Sequence, residues 1–180
     1  MPRQHDIPDP ADAPRGLDLL TPLADQVDIR GLNRRDAPLL TKHLQRLPPE
    51  ARHARFHAGV NDDAIETYVS RIGWQDTYVF GAVIDGQLRA VAELVPEPGS
   101  EVAEIAVSVE PQQQHSGLGR LLVLAAMLAA RHLGLTQLRL TYQSGNAAMR
   151  GLVQDLGGET VTNGQQAEAT LPVPPAVGDV

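Results

Sequence analysis

The chain has 180 residues, a formal net charge of −7 at pH 7, 42% hydrophobic residues, 3% aromatic residues and no cysteine. This length suits one domain with a sizeable core, and the composition is that of a globular protein. The negative charge argues against a broad nucleic-acid-binding surface. The absence of cysteine excludes a disulfide framework and fits a reducing compartment.

The apolar segments are too short for a membrane protein. The longest apolar run, residues 121–130, has ten residues, whereas a membrane-spanning helix needs ~20. We therefore expect a buried core helix there and no membrane contact. The first sixteen residues combine prolines and charges without an apolar stretch, so they do not resemble a secretory signal. These features together predict a cytoplasmic protein.

In chain order, a proline-rich start without periodicity (residues 1–26) predicts a flexible extension, and residues 172–180 predict a second one. The pattern between them predicts strands at 27–32, 77–84, 88–95, 101–109, 135–142, 159–162 and 165–171. It predicts helices at 36–47, 62–72, 117–133 and 146–156. Asp85-Gly86 and Asn163-Gly164 are hairpin turn signals. The strand–helix–strand unit between the hairpins implies one parallel pair, and therefore a mixed α+β sheet.

The most informative segment is the polar loop that leads from the strand at 101–109 into the long apolar helix. Backbone N–H groups at such a helix start lack intrahelical partners and form an anion site suited to phosphate. Gly117 and Gly119 would let the backbone approach the ligand, and Arg120 would add charge. The loop matches neither the Walker nor the dinucleotide-binding pattern. The glycines alone are also compatible with close packing of a helix against the core.

Four motifs carry a family resemblance. The spacing Gln114-x-x-Gly117-x-Gly119 resembles the Q/R-x-x-G-x-G/A signature of GNAT N-acyltransferases. Further likenesses to that family lie in Ala103-Glu-Ile-Ala-Val, in residues 146–157 (N-x-x-A/M…L-G) and in residues 47–56, which are similar to the L-S-P-E-S-R-x-x-R-F run of bacterial protein acetyltransferase-like members. The resemblance covers residues 27–171 and implies a GNAT N-acetyltransferase domain with a splayed central sheet flanked by helices.

The resemblance also implies an activity, the transfer of an acyl group, expected to be acetyl, from acyl-CoA to a primary amine. The chain would then be an acyl-CoA-dependent N-acyltransferase (EC 2.3.1 type) with acetyl-CoA as co-substrate and no metal. The amine acceptor would be a small molecule or a protein lysine, and a homodimer is left open. The implied cofactor-binding residues are Val107, Val109, Gln114, His115, Ser116, Gly117, Leu118, Gly119, Arg120 and Asn146. Asn146 also suits a helix cap, and the two roles are compatible.

Glu104 is the implied catalytic residue, because it lies within an apolar strand where the family's general base is found. A carboxylate there could take a proton from the attacking ammonium. The competing interpretation is an outward-facing residue on an alternating strand, since Glu104 stands between Ala103 and Ile105.

Two positions depart from the family pattern. Val153 stands where many members carry a tyrosine that protonates the leaving thiolate, and Gly158 replaces the aromatic residue of an L-G-F motif. The identity of the general acid is therefore open. Two alternatives follow, a non-catalytic acyl-CoA-binding or sensing module and a protein-interaction domain that keeps only the fold. His53 and His57 lack a zincin glutamate, so no metal site is predicted.

Overall fold

The computed structural model describes residues 27–175. The two predicted flexible extensions lie outside the described residues, except for residues 172–175. The strands are β1 (Val27–Leu32), β2 (Tyr78–Ile84), β3 (Gln87–Pro96), β4 (Val102–Val109), β5 (Gln137–Gln143), β6 (Glu159–Asn163) and β7 (Gln166–Pro172). The helices are α1 (Ala37–Arg46), α2 (Pro49–Phe56), α3 (Asp62–Ser70), α4 (Leu118–His132) and α5 (Ala147–Asp155).

All seven strands belong to one sheet with the order β1-β2-β3-β4-β5-β7-β6. Neighbouring strands are antiparallel except β4 and β5, which are parallel. The parallel pair is the one predicted, because α4 crosses from the end of β4 to the start of β5. The predicted mixed α+β sheet with flanking helices is confirmed.

Each face of the sheet buries its own apolar cluster. The cluster under α4 includes Leu122, Ala126 and Ile105, and the cluster under α1 and α3 includes Leu44 and Ile65. Successive residues of a strand point to opposite faces. The side chains of β4 therefore alternate between the α4 side and the α1 side, and this alternation decides which of them can reach each cluster.

The centre of the sheet is open because β4 and β5 pair over only three residues each. Their register runs from Val102↔Gln137 to Glu104↔Arg139 and stops there. Both strands continue, β4 to Val109 and β5 to Gln143. On the β5 side, the backbone of β4 beyond Glu104 therefore has no registered strand partner. This is the splayed centre that the family resemblance implies.

Helix α2 is not predicted by the sequence pattern, because Pro48-Pro49 reads as the end of the preceding helix. Pro49 instead occupies the first position of α2, where a missing N–H group is tolerated. None of its residues is fully buried. Arg52 holds the helix to its flanks by donating to the carbonyl oxygens of Leu47 at 3.0 Å and Val60 at 3.3 Å.

The packed chain continues past the predicted domain boundary at residue 171. Strand β7 ends at Pro172, and Val173 is buried. The Val173 N–H donates to the carbonyl oxygen of Thr136 at 2.9 Å. Among the helices formed by residues 27–175, none combines the length and the apolar character needed to cross a membrane.

Candidate functional site

A cleft of roughly 900 Å³ opens where β4 and β5 part. Its walls come from β4 beyond Glu104, the end of β5, the loop and first turn of α4, α5, and α2. The cleft therefore connects the predicted phosphate loop at one end with α2 at the other. A long ligand could lie between the two strands and reach both sides of the sheet.

The start of α4 is an open helix end within this cleft. Gly117 is the N-terminal cap residue, with φ 84° in the left-handed region, and no side chain caps the helix. The first intrahelical bond joins the Leu121 N–H to the Gly117 carbonyl at 3.1 Å. The N–H groups of the residues between them therefore lack intrahelical partners. Such a site binds a phosphate group through backbone donors and the helix dipole.

Helix α5 also lines the cleft. Asn146 caps this helix, its side-chain oxygen accepting from the Met149 N–H at 3.0 Å. Across the cleft, Arg120 and Asp155 form an ion pair of 2.7 Å between two well-exposed side chains. An exposed pair of this kind contributes only about 0–1 kcal/mol. Arg120 can therefore exchange Asp155 for a phosphate at low cost.

A model of one protein family matches residues 43–157, more than half of the chain, and it describes the Acetyltransferase (GNAT) family. The chain belongs to the GNAT family. No protein of curated function matches the sequence significantly.

Solved structures of GNAT proteins share this fold at low sequence identity. The GNAT domain of S. lividans PAT has a TM-score of 0.68 and 17% identity, over 81% of this chain and 90% of that one. The ribosomal-protein-S18-alanine N-acetyltransferase from Escherichia coli has a TM-score of 0.64 and 22% identity, over 86% and 98%. The spermidine N-acetyltransferase from Vibrio cholerae, solved with CoA and spermine, has a TM-score of 0.65 and 18% identity, over 83% and 96%. At these identities the likeness supports the fold alone.

In this GNAT domain, all the predicted cofactor-binding residues except Ser116 line the cleft. The Ser116 hydroxyl instead donates to the Gln113 carbonyl at 2.5 Å, which stabilises the loop itself. The role of each of these residues in binding stays a prediction. Within the described chain, no group of three His, Asp or Glu side chains is arranged to hold a metal ion.

Glu104 does not have the buried setting that the sequence suggested. Its side chain is exposed and does not line the cleft. The reason is the alternation of β4, in which Ala103 and Ile105 enter the core under α4 and Glu104 faces the opposite side. The expectation of an apolar setting is thus wrong, whereas the proposed role as general base stays a prediction.

Packing accounts for the two positions that depart from the GNAT pattern, Val153 and Gly158. Val153 is fully buried. A Cβ atom added at Gly158 would lie 2.6 Å from a Leu171 methyl and 2.7 Å from a Val153 methyl, so an aromatic side chain has no room there. Tyr142 is buried, and its hydroxyl lies 3.1 Å from the Thr160 hydroxyl.

A buried cluster beside the cleft was missed by sequence reasoning. Glu93 on β3 is only 1% exposed. It accepts from Arg55 and from the Tyr68 hydroxyl, both at 2.6 Å. Burial raises the pKa of Tyr68 to about 12, with Arg55 opposing and Glu93 adding to the rise. The signal was available, because Glu93 interrupts an apolar run just as Glu104 does. The cluster fixes Arg55, which lines the α2 end of the cleft.

A second missed group is the charged hub around Glu110, which lies just beyond β4. Arg46 donates to one of its oxygens at 2.8 Å and Arg89 to the other at 2.7 Å. Burial opposes the charge of Glu110, but hydrogen bonds from His43, Arg46 and Arg89 outweigh it and lower its pKa to about 2. The hub therefore joins α1, β3 and the end of β4 through a carboxylate that is ionised at neutral pH.

Proposed function

We propose that this GNAT protein transfers an acyl group, expected to be acetyl, from acyl-CoA to a primary amine by direct attack. One observation carries the proposal, namely that a single cleft joins an open helix N-terminus to the far side of the parted strands. A phosphate-bearing arm and an acceptor can then enter from opposite sides and meet between β4 and β5.

The CoA moiety would be held mainly by backbone groups. Its pyrophosphate would lie at the N–H groups after Gly117, with Arg120 adding positive charge. Its pantetheine arm would run along β4 near Val107 and Val109, whose backbone has no registered partner on the β5 side. Asn146 would contribute through its amide nitrogen, because the helix cap uses only its oxygen. Two solved structures of the same fold are complexes with CoA, which supports CoA as the ligand but does not bear on the role of each residue.

The chemical step would form a C–N bond and break a C–S bond. A neutral amine attacks the thioester carbonyl carbon, the nitrogen gives up a proton, and the CoA thiolate leaves and is protonated. The protein would contribute positioning, together with backbone N–H groups that stabilise the developing oxyanion. Glu104 is proposed to assist by taking the proton that the acceptor ammonium must lose before it attacks.

The acceptor is proposed to be a cationic amine, either a small molecule or an amine on a protein. The net charge of −7 favours approach of a cation. Proteins of the same fold include a ribosomal-protein-alanine N-acetyltransferase and a spermidine N-acetyltransferase. Both classes of acceptor therefore belong in the test.

The proposal is tested first by binding and then by turnover. We expect calorimetry to detect saturable binding of acetyl-CoA to the full chain. We expect release of free CoA with at least one amine in a panel of spermidine, amino acids, a peptide with a free N-terminal alanine and lysine-containing peptides. If acetyl-CoA does not bind, the proposal is refuted. A signal without added amine would indicate hydrolysis instead of transfer.

A second candidate function is a non-catalytic acyl-CoA-binding module. It is favoured by Val153, which is buried and lacks the hydroxyl that many GNAT proteins carry at this position. This candidate predicts tight acetyl-CoA binding without turnover of any amine. The same two measurements therefore separate the candidates.

A further inference from the structure

Three polar side chains form a continuous hydrogen-bonded line from the cleft into the protein. Ser108 lies on the part of β4 beyond its pairing with β5 and lines the cleft. Its Oγ is 2.8 Å from Nε2 of His43 on α1. The other ring nitrogen of His43, Nδ1, is 3.2 Å from a carboxylate oxygen of Glu110. His43 is 0% exposed, so it reaches the cleft only through Ser108.

The hydrogen positions in this line follow from the charge of Glu110. An ionised carboxylate only accepts hydrogen bonds, so His43 donates to it from Nδ1. In the neutral ring Nε2 is then an acceptor, and the Ser108 hydroxyl donates to it. The Ser108 oxygen then keeps its own lone pairs as acceptors, and Ser108 is among the residues that line the cleft. A hydrogen-bond donor in the cleft can therefore bind Ser108.

The His43 ring lies beside one carboxylate, and two arginines bind that carboxylate. From β4 and the residue after it, His43 is faced by Ser108 and Glu110. Arg46, which is on α1 like His43, and Arg89 on β3 both bind Glu110 and partly offset its negative charge. Glu110 still accepts directly from the ring. A proton arriving on Nε2 would give an imidazolium stabilised by a neighbouring carboxylate.

We propose that Ser108 and His43 form a proton relay for acyl transfer, with Glu110 as the positioning residue. This proposal rests on the proposed function. As the C–N bond forms, a proton passes from the amine nitrogen to the Ser108 oxygen while the Ser108 proton passes to His43 Nε2. When the C–S bond breaks, the proton returns by the same path to the thiolate sulfur. The products are the amide and free CoA thiol, so atoms and charges balance. The relay also supplies the general acid that Val153 cannot.

The first experiment compares two substitutions of Ser108 in the full chain, with the best amine of the panel above as acceptor. Ser108→Ala should lower kcat by ~10²-fold or more, the effect expected for loss of general acid–base catalysis. The Kd for acetyl-CoA should stay within about threefold. Ser108→Thr keeps the hydroxyl and should recover most of kcat. The deficit of Ser108→Ala should shrink as pH rises, because hydroxide can then accept the proton. Ser70→Ala, an exposed serine on α3, serves as the control and should leave kcat unchanged.

Several outcomes would overturn the relay. A Ser108→Ala variant with wild-type kcat and pH profile would make the line of hydrogen bonds purely structural. Equal losses in Ser108→Ala and Ser108→Thr would point to packing instead of the hydroxyl. A stable acetyl group on Ser108, seen by mass spectrometry of the protein with acetyl-CoA alone, would make Ser108 a nucleophile. If wild type binds acetyl-CoA but turns over no amine, the relay fails together with the proposed function.

A second measurement tests the relay without any turnover. Nitrogen-15 NMR of histidine-labelled protein at neutral pH should find His43 protonated on Nδ1 and unprotonated on Nε2, with its resonance assigned by comparison with His43→Gln. The opposite tautomer would overturn the relay, because Ser108 could not then donate to Nε2. Failure here is independent of whether the proposed function holds.

Discussion

Gly117 sets the backbone conformation on which the phosphate loop depends. Its φ of 84° is in the region that other residues adopt only at a cost, and Gly117 lines the cleft, where an added Cβ would meet no protein atom within 4 Å. Gly117→Ala should therefore weaken acetyl-CoA binding by about tenfold or more, through strain and intrusion into the phosphate position. Calorimetry measures the affinity. Gly86→Ala carries similar backbone strain (φ 72°) in the turn between β2 and β3 and should leave the affinity unchanged. Equal affinities in both variants would place the phosphate elsewhere.

Glu104 is the proposed general base, and substitution by glutamine tests it. Glu104→Gln keeps the size of the side chain but cannot take a proton. If it is the base, turnover should fall ~10²–10⁴-fold while acetyl-CoA affinity stays within a few-fold. Activity should recover as pH rises, since more acceptor amine is then neutral. Glu159→Gln on the exposed strand β6 is the matched control. Wild-type turnover in Glu104→Gln would leave it as a surface residue.

Glu110 predicts a specific dependence of stability on pH. Its folded-state pKa of about 2 lies below the ordinary value of 4.5, so the folded state binds its proton more weakly than the unfolded state. The resulting stabilisation is present above pH about 4.5 and is lost as pH falls through about 2. Glu110→Gln should be less stable than wild type by about 3 kcal/mol at pH 7. Urea unfolding of both proteins over this pH range should show the difference closing at low pH. A difference in unfolding free energy that stays the same at every pH would contradict the low folded-state pKa of Glu110.

At the scale of elements, α2 is held mainly by arginines. The Arg55 side chain is mostly covered by its contacts with Glu93 and Tyr68. Burial opposes its charge, but the charge of Glu93 outweighs this and keeps the pKa of Arg55 raised. Arg55→Met leaves Glu93 buried without its cation and should lower the free energy of unfolding by about 3–5 kcal/mol. The double variant Arg55→Met/Glu93→Leu should recover much of that loss, because neither charge is then unpaired. Denaturant unfolding of the single and double variants measures the coupling. If the losses of unfolding free energy in the two single variants simply add in the double variant, the Arg55–Glu93 pair has no coupling energy.

Local sequence patterns were enough to predict every strand and four of the five α-helices within residues 27–175. The turn at Asp85-Gly86 and the apolar stretch of α4 each specify their element without help from distant residues. Helix α2 was missed because Pro48-Pro49 reads as the end of the preceding helix, and because Arg52 and Arg55 bind parts of the chain outside α2. Apolar periodicity carries no information about such contacts.

At the scale of the whole molecule, the parallel strand pair could be derived from element order, but the cleft was implied only by the family resemblance. The glycines of the phosphate loop lie close together in the sequence, so their spacing could be recognised without the structure. The line from Ser108 to His43 could not be recognised in this way, because these residues are 65 positions apart and meet only when α1 packs on the sheet. Glu104 shows the converse error, since an apolar neighbourhood in sequence does not ensure burial when a strand alternates. The cytoplasmic location stays a prediction.

The parting of β4 and β5 has a further consequence for how the molecule responds to ligand. Three pairs of residues in parallel register connect the β1–β4 half of the sheet to the β5–β7–β6 half. A pantetheine arm in the cleft would hydrogen-bond to the strand backbone where β4 and β5 do not pair, and would act as a short extra strand. We expect amide hydrogen exchange at Val107–Val109 to slow on addition of CoA, by more than exchange at the distant edge strand β6. Uniform slowing of both would indicate general stabilisation, whereas slowing confined to β4 and β5 would mean that the ligand completes the sheet.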